Sequence, residues 1–423
     1  MDRVNPSSVV VSFSNVSRML GKESVAETVP AELAALDPAE RARLQAGLEA
    51  ALTILEDDQR EPGVMVAPNH RPAALFQSFL AEQAATQGKV EPTKAGGYEA
   101  KFDEKDWLGW AGSFFSWWRK LKKHDWLSAH PDPLPMPSGA SIAMLSDWGT
   151  GLYGAPICAD SIQRAKPQVI LHLGDVYYAG TETEVKERFL RFFPQVPGAI
   201  RRASNSNHEM YSGGYAYFRN TLPALDQFAS YFALENDRWL LVGLDTGYAE
   251  HDLFGDQVAW LDRLMKRAKE KGQKVILTSH HQPFSIFEGQ GPKLLAKVQH
   301  LLTSKQVFAW YWGHEHRCVL HAKHPAWAMY GRCIGHSGFP YFRETVGHTP
   351  VVKKNADGSQ WHQLDANDGV PGALFLDGPN AFLPGHENRY GPHGYVSIQL
   401  GQDSILETVH AADGSKLYEH ELR

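Results

Sequence analysis

Cysteine is scarce in this chain. Its 423 residues include only Cys158, Cys318 and Cys333. An odd, sparse set with no CxxC pair argues against a disulfide framework and fits a reducing compartment. Positive charge is also short: 42 Lys and Arg face 48 Asp and Glu, a net charge of −6. Bulk nucleic-acid binding, which needs a basic surface, is not expected. No apolar run approaches the roughly 20 residues of a membrane span. The N-terminal MDRVNPSSVVVSFSNVSRML has no basic start followed by a continuous apolar stretch. A signal peptide is therefore not expected, and the expected location is the cytoplasm. Internal repeats are absent as well. What is present is an ordinary globular balance, 43% hydrophobic and 21% charged, with 20 histidines and 12 tryptophans.

The chain changes character near residue 137. Before it, three helices are expected. Asp37-Pro38-Ala39-Glu40 places a capping residue, a first-turn proline and a Glu three positions on; Leu44, Leu48, Leu52 and Leu55 follow at helical spacing. A second helix is expected from Pro72 to Gln87, stopped by Gly88, and a third from about Glu104 to His124. Four prolines in HPDPLPMPSG, residues 130–139, make a linker or irregular crossing. From Ser141 onward short apolar runs alternate with helical patterns. Strands are expected at Ile142–Ser146, Val169–Leu173, Ile200–Ser204, Trp239–Asp245, Val275–Ser279 and Phe308–Trp312. Helices are expected at Ala155–Ala165, Thr183–Phe193, Gln257–Lys271 and Pro292–Ser304. This is an α/β pattern. Three closing segments, Gly394–Leu400, Ser404–His410 and Lys416–Leu422, read as antiparallel strands joined by GQD and ADG turns. The expected division is a helical extension over 1–137 and a catalytic domain over 138–423, within which 341–392 is an irregular insertion able to cover or shape a site.

Chemistry concentrates where strands end. In open α/β sheets, ligands bind beyond the carboxyl ends of strands. Here those ends carry Asp147-Trp148-Gly149, Gly174-Asp175-Val176-Tyr177-Tyr178, Asn207-His208-Glu209, His280-His281 and Gly313-His314-Glu315-His316. Each alone is an ordinary turn, cap or surface pair. Five at successive strand ends are hard to read as chance. Two cations a few ångströms apart need a bridging anion, for which Asp175 is the natural group, and imidazole and oxygen donors around it. Mixed N/O ligation suits Fe, Zn or Mn better than Ca or Mg.

The order Asp-x-Gly, Gly-Asp-x-x-Tyr, Asn-His-Glu, His, Gly-His-x-His resembles the calcineurin-like metallophosphoesterase superfamily over roughly 141–340. Most members have Asp-x-His first. This chain has Asp147-Trp148-Gly149 and supplies Tyr178, which resembles the purple acid phosphatase type, where tyrosinate ligates ferric iron. The resemblance implies a four-layer α/β/β/α sandwich and two metal ions, iron paired with iron, zinc or manganese. It implies Asp147, Asp175, Tyr178 and His316 on the first metal, and Asp175, Asn207, His280 and His314 on the second. His208 would bind phosphate or protonate the leaving oxygen. Between His280 and His281 the ligand is open; His280 is preferred because it directly follows the apolar strand, leaving His281 to face substrate. Arg317 is a candidate phosphate contact or a structural ion pair. Ser206 stands where glycine is usual. Arg201 and Arg202 precede it where an apolar strand is usual, which suits an edge strand or a substrate-facing pair.

The implied activity is hydrolysis of small-molecule phosphate monoesters or diesters by a metal-bound hydroxide attacking phosphorus in line. A phosphodiesterase acting on nucleotides or phospholipid head groups is the alternative enzyme. A catalytically dead binding protein on the same fold is the alternative of another class, and it predicts missing ligand types; here every type is present. Trp107, Trp110, Phe114, Trp117 and Leu121 form one helical stripe in 104–126, followed by Arg119, Lys120, Lys122 and Lys123. Such a helix can lie at a membrane surface. The plainer reading packs its aromatic face on the catalytic domain and leaves its lysines solvated.

Overall fold

The computed structural model describes residues 70–87, 120–249, 251–289, 291–339, 341–343, 349–383 and 385–423. It also describes Ala39 and the backbone of three short strands, β1 (Val9–Val10), β2 (Val90–Pro92) and β3 (Tyr98–Ala100). The first expected helix and residues 104–119 of the third lie outside the described residues, apart from Ala39. The second is present as α1 (Arg71–Gln87). The strands β1, β3 and β2 form a small sheet, so the N-terminal part is not helical throughout. Residues 121–124 of the expected third helix carry no helical turn.

The remaining strands form two large sheets. One has six strands in the order β19, β18, β17, β5, β6, β7. These are Lys416–Leu422, Ile405–Ala411, Gly394–Leu400, Ser141–Leu145, Val169–His172 and Ile200–Ala203. The other has ten, in the order β14 (Val351–Lys354), β15 (Gln360–Leu364), β16 (Ala373–Asp377), β12 (Cys318–His321), β13 (Tyr330–Ile334), β11 (Val307–Trp312), β10 (Lys274–Thr278), β9 (Trp239–Gly243), β8 (Phe232–Glu235) and β4 (Leu134–Pro135). The proline-rich crossing thus contributes a two-residue edge strand, where a missing N–H is tolerated.

Period-two alternation buries both faces of each sheet. In β5, Ile142 and Met144 face the other sheet with Leu171, Leu241, Ile276, Tyr311 and Val396. Ala143 and Leu145 turn outward onto α2 (Gly154–Ala165), through Ala155, Cys158, Ala159 and Ile162. In β9, Leu241 faces inward, while Leu240 and Val242 meet α4 (Gln257–Lys271) and α5 (Pro292–Thr303). Here α3 denotes the short helix Asn207–Tyr211. The result is helix, sheet, sheet, helix: the expected four layers.

Three departures stand out. The segment 341–392 is not irregular throughout, because β14, β15 and β16 lie within it and extend the ten-stranded sheet. Residues 184–190 wind as a wide π turn rather than an α-helix, with Arg191 N donating to Lys186 O. The two arginines of β7 sit on a sheet edge. Arg201 donates to Gln195 and to the Ala224 carbonyl, and Arg202 to the Leu225 carbonyl. No helix among the described residues is long and apolar enough to cross a membrane.

Candidate dimetal centre

The carboxyl ends of β5, β6, β10 and β11 and the start of α3 meet at one edge of the sandwich. The chain leaves each strand through tight turns. Asp147, Asp175, His314 and His316 all adopt left-handed backbone, with φ of 57°, 74°, 69° and 53°. Four non-glycine residues in that region carry strain of the kind that collects at functional sites. Glycines make room beside them. A Cβ on Gly313 would stand 1.9 Å from Ser146 Oγ, and one on Gly174 would stand 2.8 Å from His280 Nδ1.

Two overlapping donor groups result. Asp147, Asp175 and His316 bring ligand atoms within 4.8 Å of one another, and so do Asp175, His280 and His314. Asp175 belongs to both, as a bridge should. His280 is oriented by its Nδ1, 2.8 Å from the Leu173 carbonyl, which turns Nε2 toward Asp175 Oδ1 at 3.1 Å and His314 Nδ1 at 3.2 Å. This is how a ligating histidine is usually held. His314 Nε2 is buried and finds no hydrogen-bond partner among the described residues. His316 Nε2 lies 3.5 Å from Asp147 Oδ1.

The electrostatics show which protons a cation would displace. Burial and the charge of Asp175 hold the Asp147 carboxyl well above the usual range. Burial also opposes ionisation of Asp175, but His280, His208 and His314 more than offset it and hold that carboxyl well below. Burial opposes protonation of His280 too, yet Asp175 raises it to about 9. Burial and neighbouring imidazoles keep His281 and His314 neutral, as metal ligation requires. Without an ion, the proton on His280 balances Asp175 and a proton neutralises Asp147; cations at the two donor groups would take the place of those protons. The residues present therefore fit two cations.

Two expectations change. The phenol that reaches the centre is Tyr177, not Tyr178. Its hydroxyl donates to Asp175 Oδ2 at 3.0 Å and lies 2.5 Å from His316 Nε2. Tyr178 is directed to the Arg188 side, where the guanidinium lies 5.7 Å from its ring centre. His281, expected to face substrate, turns instead toward the cluster. Its Nε2 is 3.1 Å from Asn207 Oδ1, and its ring centre lies 4.6 Å from that of His314. Both histidines of the pair thus border the second donor group. Arg317 lies over the ring of Phe287 at 4.4 Å.

His208 is buried against Tyr177, with ring centres 3.9 Å apart, and its Nδ1 lies 2.6 Å from the Tyr178 carbonyl. Ser206 caps α3 and reaches Asp175 Oδ1 at 2.5 Å. It also contacts Glu209, whose carboxyl is pushed up to about 7 by burial and by Asp175. One hydroxyl has one proton, so a protonated Glu209 can supply the second hydrogen bond. Glu184 ties this region to α1: it accepts from Ser78 at 2.6 Å and from the backbone of Tyr178, Ala179 and Thr181. Sequence reasoning missed Tyr177, Ser206 as a positioning group, Thr246 beside His281 at 2.9 Å, and Phe339, whose ring lies tilted with its centre 4.2 Å from that of His316. The doubled Tyr177-Tyr178 was the one signal that could have raised the first.

Residues 140–318 match the family model of calcineurin-like phosphoesterases. A purple acid phosphatase from yellow lupin (Lupinus luteus) seeds shares the fold at a TM-score of 0.50 and 13% identity, over 68% of this chain. The match spans 55% of the lupin protein's length. A dimetal phosphatase from Danio rerio aligns over 69% of this chain and 99% of its own, at 11% identity and a TM-score of 0.41. No curated protein matches.

Proposed function

We propose that this chain carries a calcineurin-like phosphoesterase domain and is a dinuclear-metal hydrolase of small-molecule phosphate esters, of the purple acid phosphatase type. The observation that carries the reading is the sharing of Asp175 between two buried donor groups, one with Asp147 and His316, the other with His280 and His314. Asp147, Asp175, His316 and the Tyr177 phenol would hold the first ion. Asp175, Asn207, His280 and His314 would hold the second, with His281 beside them. Such ions supply Lewis acidity and a nucleophilic water at neutral pH. Iron in the first site, with iron, zinc or manganese in the second, suits this donor set.

The protein's own groups do the positioning. His208 donates Nδ1–H to the Tyr178 carbonyl, leaving Nε2 for a phosphate oxygen or the leaving group. Burial keeps this imidazole neutral. A bound phosphate's negative charge favours its protonated form, so the proton is delivered only when an ester is present. Ser206 fixes one oxygen of Asp175 and Tyr177 the other.

The test is metal analysis of purified protein together with turnover of p-nitrophenyl phosphate and bis-p-nitrophenyl phosphate. Two metal equivalents and hydrolysis of at least one ester are expected. Asp175→Asn and His314→Ala should each lower turnover at least about 100-fold. Full activity in either variant would remove the reading. The ratio of the two rates decides between monoesterase and diesterase.

A further inference from the structure

One imidazole at the centre has no role in the scheme above. His251 follows β9 in the loop that leads to α4. Its ring meets His281 edge-on, with centres 4.0 Å apart at 73°, and lies 5.1 Å from His314 at 69°. Ligand nitrogens of His251, His281 and His314 all fall within 4.8 Å of one another.

The loop that carries His251 is fastened on both sides. Upstream, the buried Asp245 carboxylate accepts from Gly247 N at 3.0 Å, Tyr248 N at 3.1 Å and Asn205 Nδ2 at 3.2 Å. Gly247 presses so closely on the start of α3 that a Cβ there would stand 2.6 Å from the Ser206 backbone. Downstream, Asp252 pairs with Lys297 at 2.8 Å, and the same ammonium donates to the Leu253 carbonyl at 2.6 Å. His251 itself takes left-handed backbone, φ 64°. A surface histidine needs none of this. Rings packed for area alone also have no reason to converge their nitrogens. Around a tetrahedral cation with bonds of about 2.0–2.1 Å, donor atoms stand roughly 3.4 Å apart. Movements of less than about 1 Å per ring would close the observed group onto an ion.

We propose that His251 is a ligand of the second cation, reaching it with His281 from the side of His314 opposite the Asp175 and His280 donors already assigned to that ion. This deepens the dimetal reading and rests on it. Nitrogen-rich ligation favours a borderline divalent ion of the zinc type over manganese or magnesium, which prefer oxygen donors. The two halves of the centre are then chemically unequal. The half around Asp147, Asp175 and Tyr177 is oxygen-rich; the half around His251, His281 and His314 is nitrogen-rich. That asymmetry sorts two different metals into one centre.

The test uses the full chain stripped with a chelator and titrated with Zn(II), Mn(II) or Co(II). Stoichiometry is read by mass spectrometry of the metal, affinity by chelator competition, and coordination by the visible absorption of the cobalt form. His251→Ala and the more conservative His251→Gln are compared with His300→Ala, which removes an exposed imidazole. The native chain should bind two ions. Both His251 variants should bind one of two Zn(II) ions at least tenfold more weakly, with a changed cobalt spectrum and a smaller preference for zinc over manganese. His300→Ala should match the native chain. If both His251 variants keep the native affinity and spectrum while His314→Ala loses them, the His251 assignment falls and the dimetal reading stands. If the native chain binds no divalent cation, both fall.

Discussion

Tyr177 and His316 meet across the centre, phenol oxygen to Nε2, at 2.5 Å. The same hydroxyl reaches Asp175 at 3.0 Å. One tyrosine therefore touches a carboxylate and an imidazole that both border the first donor group. Without a cation, burial and the charges of Asp175 and Asp147 push its pKa well up. A ferric ion would reverse that logic and favour the phenolate.

Replacing each tyrosine separately follows from this. With iron bound, visible absorption from phenolate-to-iron charge transfer should vanish in Tyr177→Phe and persist in Tyr178→Phe. Turnover of p-nitrophenyl phosphate should fall roughly tenfold or more in the first variant, the scale of losing a group that tunes a metal. The reverse pattern would return the role to Tyr178.

Chelation should cost stability as well as activity. Asp147 and Asp175 are buried side by side, so an ion that binds only the folded state adds about 2.7 kcal/mol at 100 times its Kd. Thermal unfolding with and without chelator should show a lower Tm in the stripped protein, and re-added metal should restore it. An unchanged Tm would mean that no ion binds there in the folded state.

Ser206 has two jobs at once. It caps α3, accepting from His208 N at 3.1 Å, and it steadies Asp175. Ser206→Ala should cost about 1 kcal/mol of stability, the usual value of an N-cap. Metal affinity should weaken with it. Denaturant melts and chelator competition separate the two effects. Loss of neither would show that the hydroxyl only fills space.

Acid should destabilise the chain through two histidines away from the metal. Burial holds His393 at about 3, aided by His336, and burial holds His336 at about 4. Unfolded, each takes a proton near 6.5. Between about 6.5 and 4 the unfolded state therefore binds more protons, and stability falls as pH falls, by up to about 1.4 kcal/mol per pH unit for each group. Above about 6.5 neither contributes. Urea melts at pH 7 and pH 5 should show this loss, and His393→Gln should make it smaller. An equal loss in that variant would exclude His393 as a source.

The sequence by itself determined nine strands, β5 to β7, β9 to β11 and β17 to β19, their alternation with helices and the residue types gathered at their ends. Apolar runs such as Ile142–Leu145 and Val169–Leu173 can only be buried on both faces, and turns after them must carry the polar groups. Helix α4 was legible to its ends, Gln257 and Lys271, because its periodicity and its Gly272 stop are local. Tertiary structure decided what periodicity does not encode. Strands β14 to β16 exist because β16 pairs with β12, more than fifty residues earlier, and short segments have no strand character until such a neighbour is present. Beyond the strand ends the backbone turns left-handed at Asp147, Asp175, His314 and His316, and alternation no longer says where a side chain points. For that reason Tyr177 rather than Tyr178 reaches the centre, His281 joins His280 there, and a loop fastened at Asp245 and Asp252 brings in His251.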